Sequence, residues 1–134
     1  MKKLLIILLL LASPTLAQDF NNVKYLFNYD GDTIKFDLGT NLPDLFRYMP
    51  LRLYGIDTPE IKSKNINAFV ARDFVKSELS NAKQINLCEC KDDKYFRINC
   101  RVNYDNKDLT QELLKRKLGY EYYGGKKKVI DYSK

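Results

Sequence analysis

The stretch Arg52-Leu53-Tyr54-Gly55-Ile56-Asp57-Thr58-Pro59-Glu60 constrains this chain most. Leu51 and Leu53 are apolar, and Arg52 between them falls on the opposite face of a strand, because successive side chains alternate sides. The strand has to end at Thr58-Pro59. Proline has no N–H to give a ladder and holds its predecessor extended. Asp57 and Glu60 are thereby placed at a strand end or in the loop that follows, where a rigid scaffold presents carboxylates to solvent. A guanidinium and two carboxylates this close together suit work on a phosphate: acids can hold a hard cation, and the guanidinium fork can grip oxygens. Taken alone, the stretch is also consistent with a strand ended by a capped turn with surface charges.

Composition narrows the chemistry. The chain has no histidine, which excludes histidine zinc sites, Ser-His-Asp triads and histidine bases. Catalysis must use carboxylates, Arg, Lys, Tyr or a metal. Lys2-Lys3, the apolar run from Leu4 to Leu11 and Thr15-Leu16-Ala17 read as a secretory signal over 1–17, cleaved before Gln18. The run is short for a bilayer span, and no lipobox cysteine follows it. Residues 18–134 then form one domain, secreted or periplasmic, with no membrane attachment after signal removal. Without Lys2 and Lys3 the basic residues, 23 in the whole chain, still outnumber the 17 acidic ones. That balance suits an anionic partner. An oxidising compartment favours one disulfide and one thiol among Cys88, Cys90 and Cys100.

Periodicity predicts strands over 23–29 and 33–38 joined by an Asp30-Gly31-Asp32 turn, and a third strand over 46–56 after a loop at 39–44. Residues 61–67 are polar and aperiodic and read as a mobile loop. Ala68, Phe69, Ala71, Phe74, Val75 and Leu79 recur at helical spacing up to Ser80-Asn81. Strands follow over 84–90 and 95–104, with a charged turn at 91–94. Asp108 opens a helix, with Gln111 completing a capping box, Leu109, Leu113, Leu114 and Leu118 as its buried stripe, and Gly119 as C-cap. The tail from Gly124 to Lys128 reads as flexible and solvated. The order fits an α+β fold, a five-stranded Greek-key barrel of the OB type with two to three helices; a ferredoxin-like sandwich competes. Cys90 and Cys100 flank the turn between the last two strands, so a bridge can cross that hairpin; Cys88–Cys100 is the other pairing, and the spacing leaves both open.

Three blocks in this order resemble the signatures of the staphylococcal nuclease (thermonuclease) family: Asp30-Gly31-Asp32-Thr33, Arg52 with Asp57-Thr58-Pro59-Glu60, and Asp93-Lys94-Tyr95-Phe96-Arg97. Asn81-Ala82-Lys83 and the leucine-rich helix running into Gly119-Tyr120 also resemble that family. The resemblance spans residues 25–123. It implies an OB-fold barrel with a calcium-dependent phosphodiesterase site. By that resemblance Asp32 and Asp57 would bind Ca2+ through carboxylates and Thr58 through its carbonyl. Arg52 and Arg97 would grip the scissile phosphate, and Glu60 would act on the attacking water. Lys94, Tyr95 and Tyr123 would contact the nucleotide. The implied activity is a monomeric endonuclease on DNA and RNA with little sequence preference, needing no stable protein partner and leaving 3′-phosphate ends. Phe96 departs from the family, which often has glycine there, and the loop after Glu60 is shorter. The rival readings are a non-catalytic OB module for single-stranded nucleic acid and a basic domain for anionic surface polymers.

Overall fold

The computed structural model describes residues 17–132. The expected signal segment lies outside them, apart from Ala17. The elements in order are β1 (Gln18–Phe20), β2 (Lys24–Asn28), β3 (Thr33–Asp37), α1 (Asp44–Arg47), β4 (Pro50–Leu53), β5 (Gly55–Asp57), a 3-10 turn (Ile61–Ser63), α2 (Ile66–Asn81), β6 (Ile85–Asp93), β7 (Arg97–Tyr104), β8 (Lys107–Asp108), α3 (Leu109–Lys115) and β9 (Tyr120–Tyr122).

The main sheet runs β1-β6-β7-β4-β3-β2, with β8 on the end of β7; β5 and β9 form a separate pair. β4 and β7 are parallel and join the β2-β3-β4 meander to the antiparallel β6–β7 hairpin. This is an α+β, OB-like arrangement whose hydrogen-bonded path ends at β1 and β2 rather than closing on itself. Alternation explains its inner face: Ile34 and Phe36 of β3 are buried while Thr33, Lys35 and Asp37 stay half-exposed. α2 covers that face with Ala68, Ala71, Val75 and Leu79. Its N-cap is Asn65, whose side chain accepts the Asn67 N–H at 2.9 Å. Asp108 caps α3 in the same way, accepting from Gln111 N–H at 3.0 Å. Among the described residues no helix is long and apolar enough to cross a membrane.

Four local expectations are corrected. Residues 46–56 are not one strand: Asp44–Arg47 is helical, and the chain turns at Gly55, whose φ of +83° suits a residue without Cβ. β5 therefore leaves the main sheet and pairs with β9. The turn expected at 91–94 sits later, because β6 continues through Asp93 opposite Arg97. Tyr95 and Phe96 make the turn in left-handed conformations, φ +64° and +54°. Residues 61–67 are ordered by the 3-10 turn and the Asn65 cap. Gly119 is not the C-cap of α3. Lys117 takes the left-handed position at φ +56°, its N–H bonded to the Leu114 carbonyl and that of Leu118 to the Leu113 carbonyl, both at 3.0 Å. Gly119 serves close approach instead: a Cβ there would lie 2.8 Å from the Asp57 carbonyl oxygen and from Ile56. Finally, β1 and its pairing with β6 carry no periodic signal.

The structure joins Cys90 to Cys100 and leaves Cys88 free. The reason is a β-bulge. Cys88 pairs with Arg101 and Lys91 with Asn99, so Glu89 and Cys90 together face Cys100. Glu89 takes φ +54°. Strict alternation from the buried Leu87 would turn Cys88 and Cys90 to one outer face. The extra residue rotates Cys90 inward, where Cys100 is fully buried.

Candidate active-site cleft

The site begins at the β2–β3 hairpin tip. The Asp30 carboxylate accepts the N–H groups of Asp32 (3.0 Å) and Thr33 (2.7 Å), an Asx turn that makes Asp30 a turn former. Gly31 lets the tip seat closely, since a Cβ there would lie 2.8 Å from the Thr58 side chain and 3.0 Å from Ala71. The turn aims Asp32 inward, leaving it 4% exposed. Its Oδ2 accepts the Thr58 N–H at 2.7 Å and lies 2.5 Å from Arg52 Nη1. Nη1 finds no aligned acceptor, so this contact is one of charge. Arg52 projects from β4 opposite Thr33, and its Nη2 donates to Asp57 Oδ1 at 3.0 Å. One buried guanidinium thus bridges two carboxylates.

Burial dominates at Asp32 and pushes its carboxyl up to about 7; the Arg52 charge pulls it back only in part, and the nearby Asp30 charge adds to the rise. Asp57 collects two further partners. The Tyr120 hydroxyl donates to its Oδ2 at 2.9 Å, and Lys127 Nζ lies 2.9 Å from Oδ1. Burial raises the Tyr120 phenol, and donation to Asp57 raises it further. Burial draws Lys127 down, yet its hydrogen bond to Asp57 and that carboxylate's charge leave it raised.

Glu60 stands at the rim with its side chain 46% exposed, 3.1 Å from Lys62 Nζ and 3.7 Å from Lys127 Nζ. Across the cleft, Arg97 Nε is held by Asp93 Oδ2 at 2.5 Å, and its guanidinium lies 5.5 Å from the Tyr95 ring centroid. Tyr123 packs edge-on against Tyr54 with ring centroids 5.5 Å apart. Asp32, Arg52, Asp57, Thr58, Glu60, Lys94, Tyr95, Arg97 and Tyr123 all line one cleft of about 620 Å³. Every candidate read from the sequence is therefore in one place.

Two partners of Asp57 escape sequence reading. Tyr120 looks like any rim aromatic until β9 pairs with β5, Asp57 opposite Tyr120. Lys127 belongs to a lysine run that reads as a solvated tail, but the chain turns back after Gly124 and Gly125, both at positive φ, and its ammonium meets Asp57. No spacing signal marks either contact.

Residues 50–132 match the family model for the staphylococcal nuclease homologue. The chain belongs to that family. The match begins at Pro50, so Asp32 comes to the site through the pairing of β3 with β4 rather than within the matched segment. A domain of this family is a nuclease-like or nucleic-acid-binding module. A search of curated proteins returns no match.

The donor types fit a hard divalent ion. Asp32 and Asp57 offer carboxylates and Thr58 a carbonyl, and oxygen is what such an ion takes. Thr58 Oγ1 is also buried and has no hydrogen-bond partner among the described residues. A buried carboxylate whose pKa burial has raised is the state that a nearby dication reverses. Among the described residues no group of three or more His, Cys, Asp or Glu side chains is placed so that they alone could hold a metal ion. Water and substrate oxygens would therefore complete the shell.

Proposed function

We propose that this protein is an exported, calcium-dependent endonuclease that hydrolyses phosphodiester bonds of DNA and RNA with little sequence preference. One observation carries the reading: two arginines, a rim glutamate and a pair of buried carboxylates line the same cleft. The motifs resembling a signal over residues 1–17 support export.

A phosphodiester is anionic, and its transition state gathers more charge on the phosphoryl oxygens. Arg52 and Arg97 answer that charge. Both are permanently protonated, and both are held before substrate arrives, Arg52 by Asp32 and Asp57, Arg97 by Asp93 and the Tyr95 ring. Such fixed donors stabilise developing charge without reorganising. Glu60, at the solvent edge, is the carboxylate able to take a proton from an attacking water. Lys94 and Tyr95, in the turn beside Arg97, with Tyr123 opposite, hold the adjoining nucleotide. Calcium held by Asp32, Asp57 and the Thr58 carbonyl would supply Lewis-acid charge at the phosphate.

Plasmid and RNA incubated with the purified chain, with calcium or with a chelator, test this. Degradation in calcium alone is expected. Glu60→Gln and Arg97→Lys should keep the fold by circular dichroism and lose about 100-fold or more in turnover. Binding without cleavage in calcium, insensitive to chelator, would instead identify a non-catalytic nucleic-acid module.

A further inference from the structure

The outer face of the main sheet continues past the cleft. Asp93 pairs with Arg97. One step along the β4–β7 ladder from the Leu51–Ile98 pair, Arg97 lies beside Pro50. Pro50 pairs with Lys35, and Lys35 with Phe27. Directly paired residues share a face, so one row crosses the sheet from Arg97 through Lys35 to Phe27. At about 4.8 Å per strand, Phe27 stands about 14 Å from Arg97 along that row. Lys94 and Tyr95 belong to the β6–β7 side of β4, and Phe27 to its β3–β2 side. The row therefore leaves the cleft on the flank away from Tyr95.

That flank is built of aromatic and cationic groups. Phe27 and Tyr29 are 43% and 53% exposed, and their rings meet edge-on with centroids 4.9 Å apart. Lys35 Nζ lies 6.0 Å from the Phe27 centroid. An alternating half-buried strand places its apolar side chains inward; here the core is filled by Ile34 and Phe36 of the neighbouring strand, and two large rings are left in water. Exposed rings beside an ammonium, continuous with an arginine-lined cleft, match the way single strands are held: bases stack on aromatics while cations follow the backbone.

We infer that Phe27, Tyr29 and Lys35 form a second nucleotide subsite, which stacks a base and holds a phosphate of single-stranded substrate on the far side of the scissile bond from Tyr95. This rests on the nucleic-acid reading above. It makes the substrate a strand that crosses the sheet face, with Arg52 and Arg97 between two aromatic supports.

The test measures binding by fluorescence anisotropy, in chelator so that nothing is cut, to a single-stranded octanucleotide and to a nucleoside 3′,5′-bisphosphate short enough to fill only the cleft. Phe27→Leu with Tyr29→Leu keeps apolar cover and removes the π-faces. It should weaken octanucleotide binding at least about 5-fold and leave the bisphosphate Kd unchanged. Lys35→Ala should lower the slope of log K against log salt by about 0.7, the loss of one phosphate contact to a single strand. Equal weakening of both ligands, or no weakening of the octanucleotide while the unaltered chain binds it, overturns the subsite and leaves the nuclease reading standing. An unaltered chain that binds neither ligand overturns both. A dimer seen by light scattering and dissolved by the double substitution also overturns the subsite, since the β2 edge would then serve self-association.

Discussion

Asp32→Asn should stabilise this protein above neutral pH while removing a carboxylate of the proposed calcium site. In the unfolded chain the Asp32 proton leaves near 3.8; in the folded chain burial holds it to about 7. Between those values the folded state binds more protons than the unfolded one, so stability falls as pH rises, and the full deficit is present above about 7. Holding the charged form in that buried place costs on the order of a few kcal/mol. The attraction of Arg52 is already inside that net rise. Asparagine keeps an oxygen for the Thr58 N–H and carries no charge to desolvate. The expected gain is about 2–4 kcal/mol at pH 8 and close to zero at pH 4, or about 4 °C of melting temperature per kcal/mol for a domain of this size. Denaturant titrations of both proteins at pH 4, 6 and 8 in chelator read this directly. An Asp32→Asn protein less stable at pH 8, or a difference independent of pH, would show that the Arg52 pairing outweighs burial and would refute the reasoning. Saturating calcium should reverse the order, because ligand bound only to the native state stabilises it by mass action.

Gly119→Ala should lower the unfolding free energy from denaturant titration by about 1–3 kcal/mol, since its Cβ would meet the Asp57 carbonyl and Ile56 at 2.8 Å; an unchanged value would show that β9 can shift away from β5. Reductant should lower the melting temperature by opening the Cys90–Cys100 link, whose ten-residue separation closes a loop contributing about 3 kcal/mol in the chain-entropy model. Superimposable melting curves would mean that the link is absent in solution. Lys127→Ala should tighten calcium binding about 2- to 5-fold in calorimetric titration, because its ammonium contends for Asp57 Oδ1; weaker binding would make Lys127 a supporting group instead.

Much of the site was readable before any coordinates, and for a local reason. Asp30 forms its turn through bonds to the next few N–H groups, Pro59 stops a strand by its own missing N–H, and Asp108 caps the helix it precedes. The errors fell where a distant contact outweighed local preference. Glycine tolerates a left-handed backbone and so suits a cap at Gly119, but Lys117 takes that conformation and Gly119 is needed by β5. Apolar content suggests one long third strand, because it does not report the turn at Gly55. Pairing of Cys90 rather than Cys88 depended on one bulged residue, and bulges leave no period in the residues around them.

The sequence by itself determined the chemical types: carboxylates, guanidinium groups and tyrosines with no imidazole, set on strand ends and turns by steric rules that act over a few residues. Only the tertiary structure decided their meeting. Asp32 reaches the Thr58 N–H across 26 residues and Tyr120 reaches Asp57 across 63. Those separations are closed by strand register and core packing, which depend on the whole set of buried side chains at once.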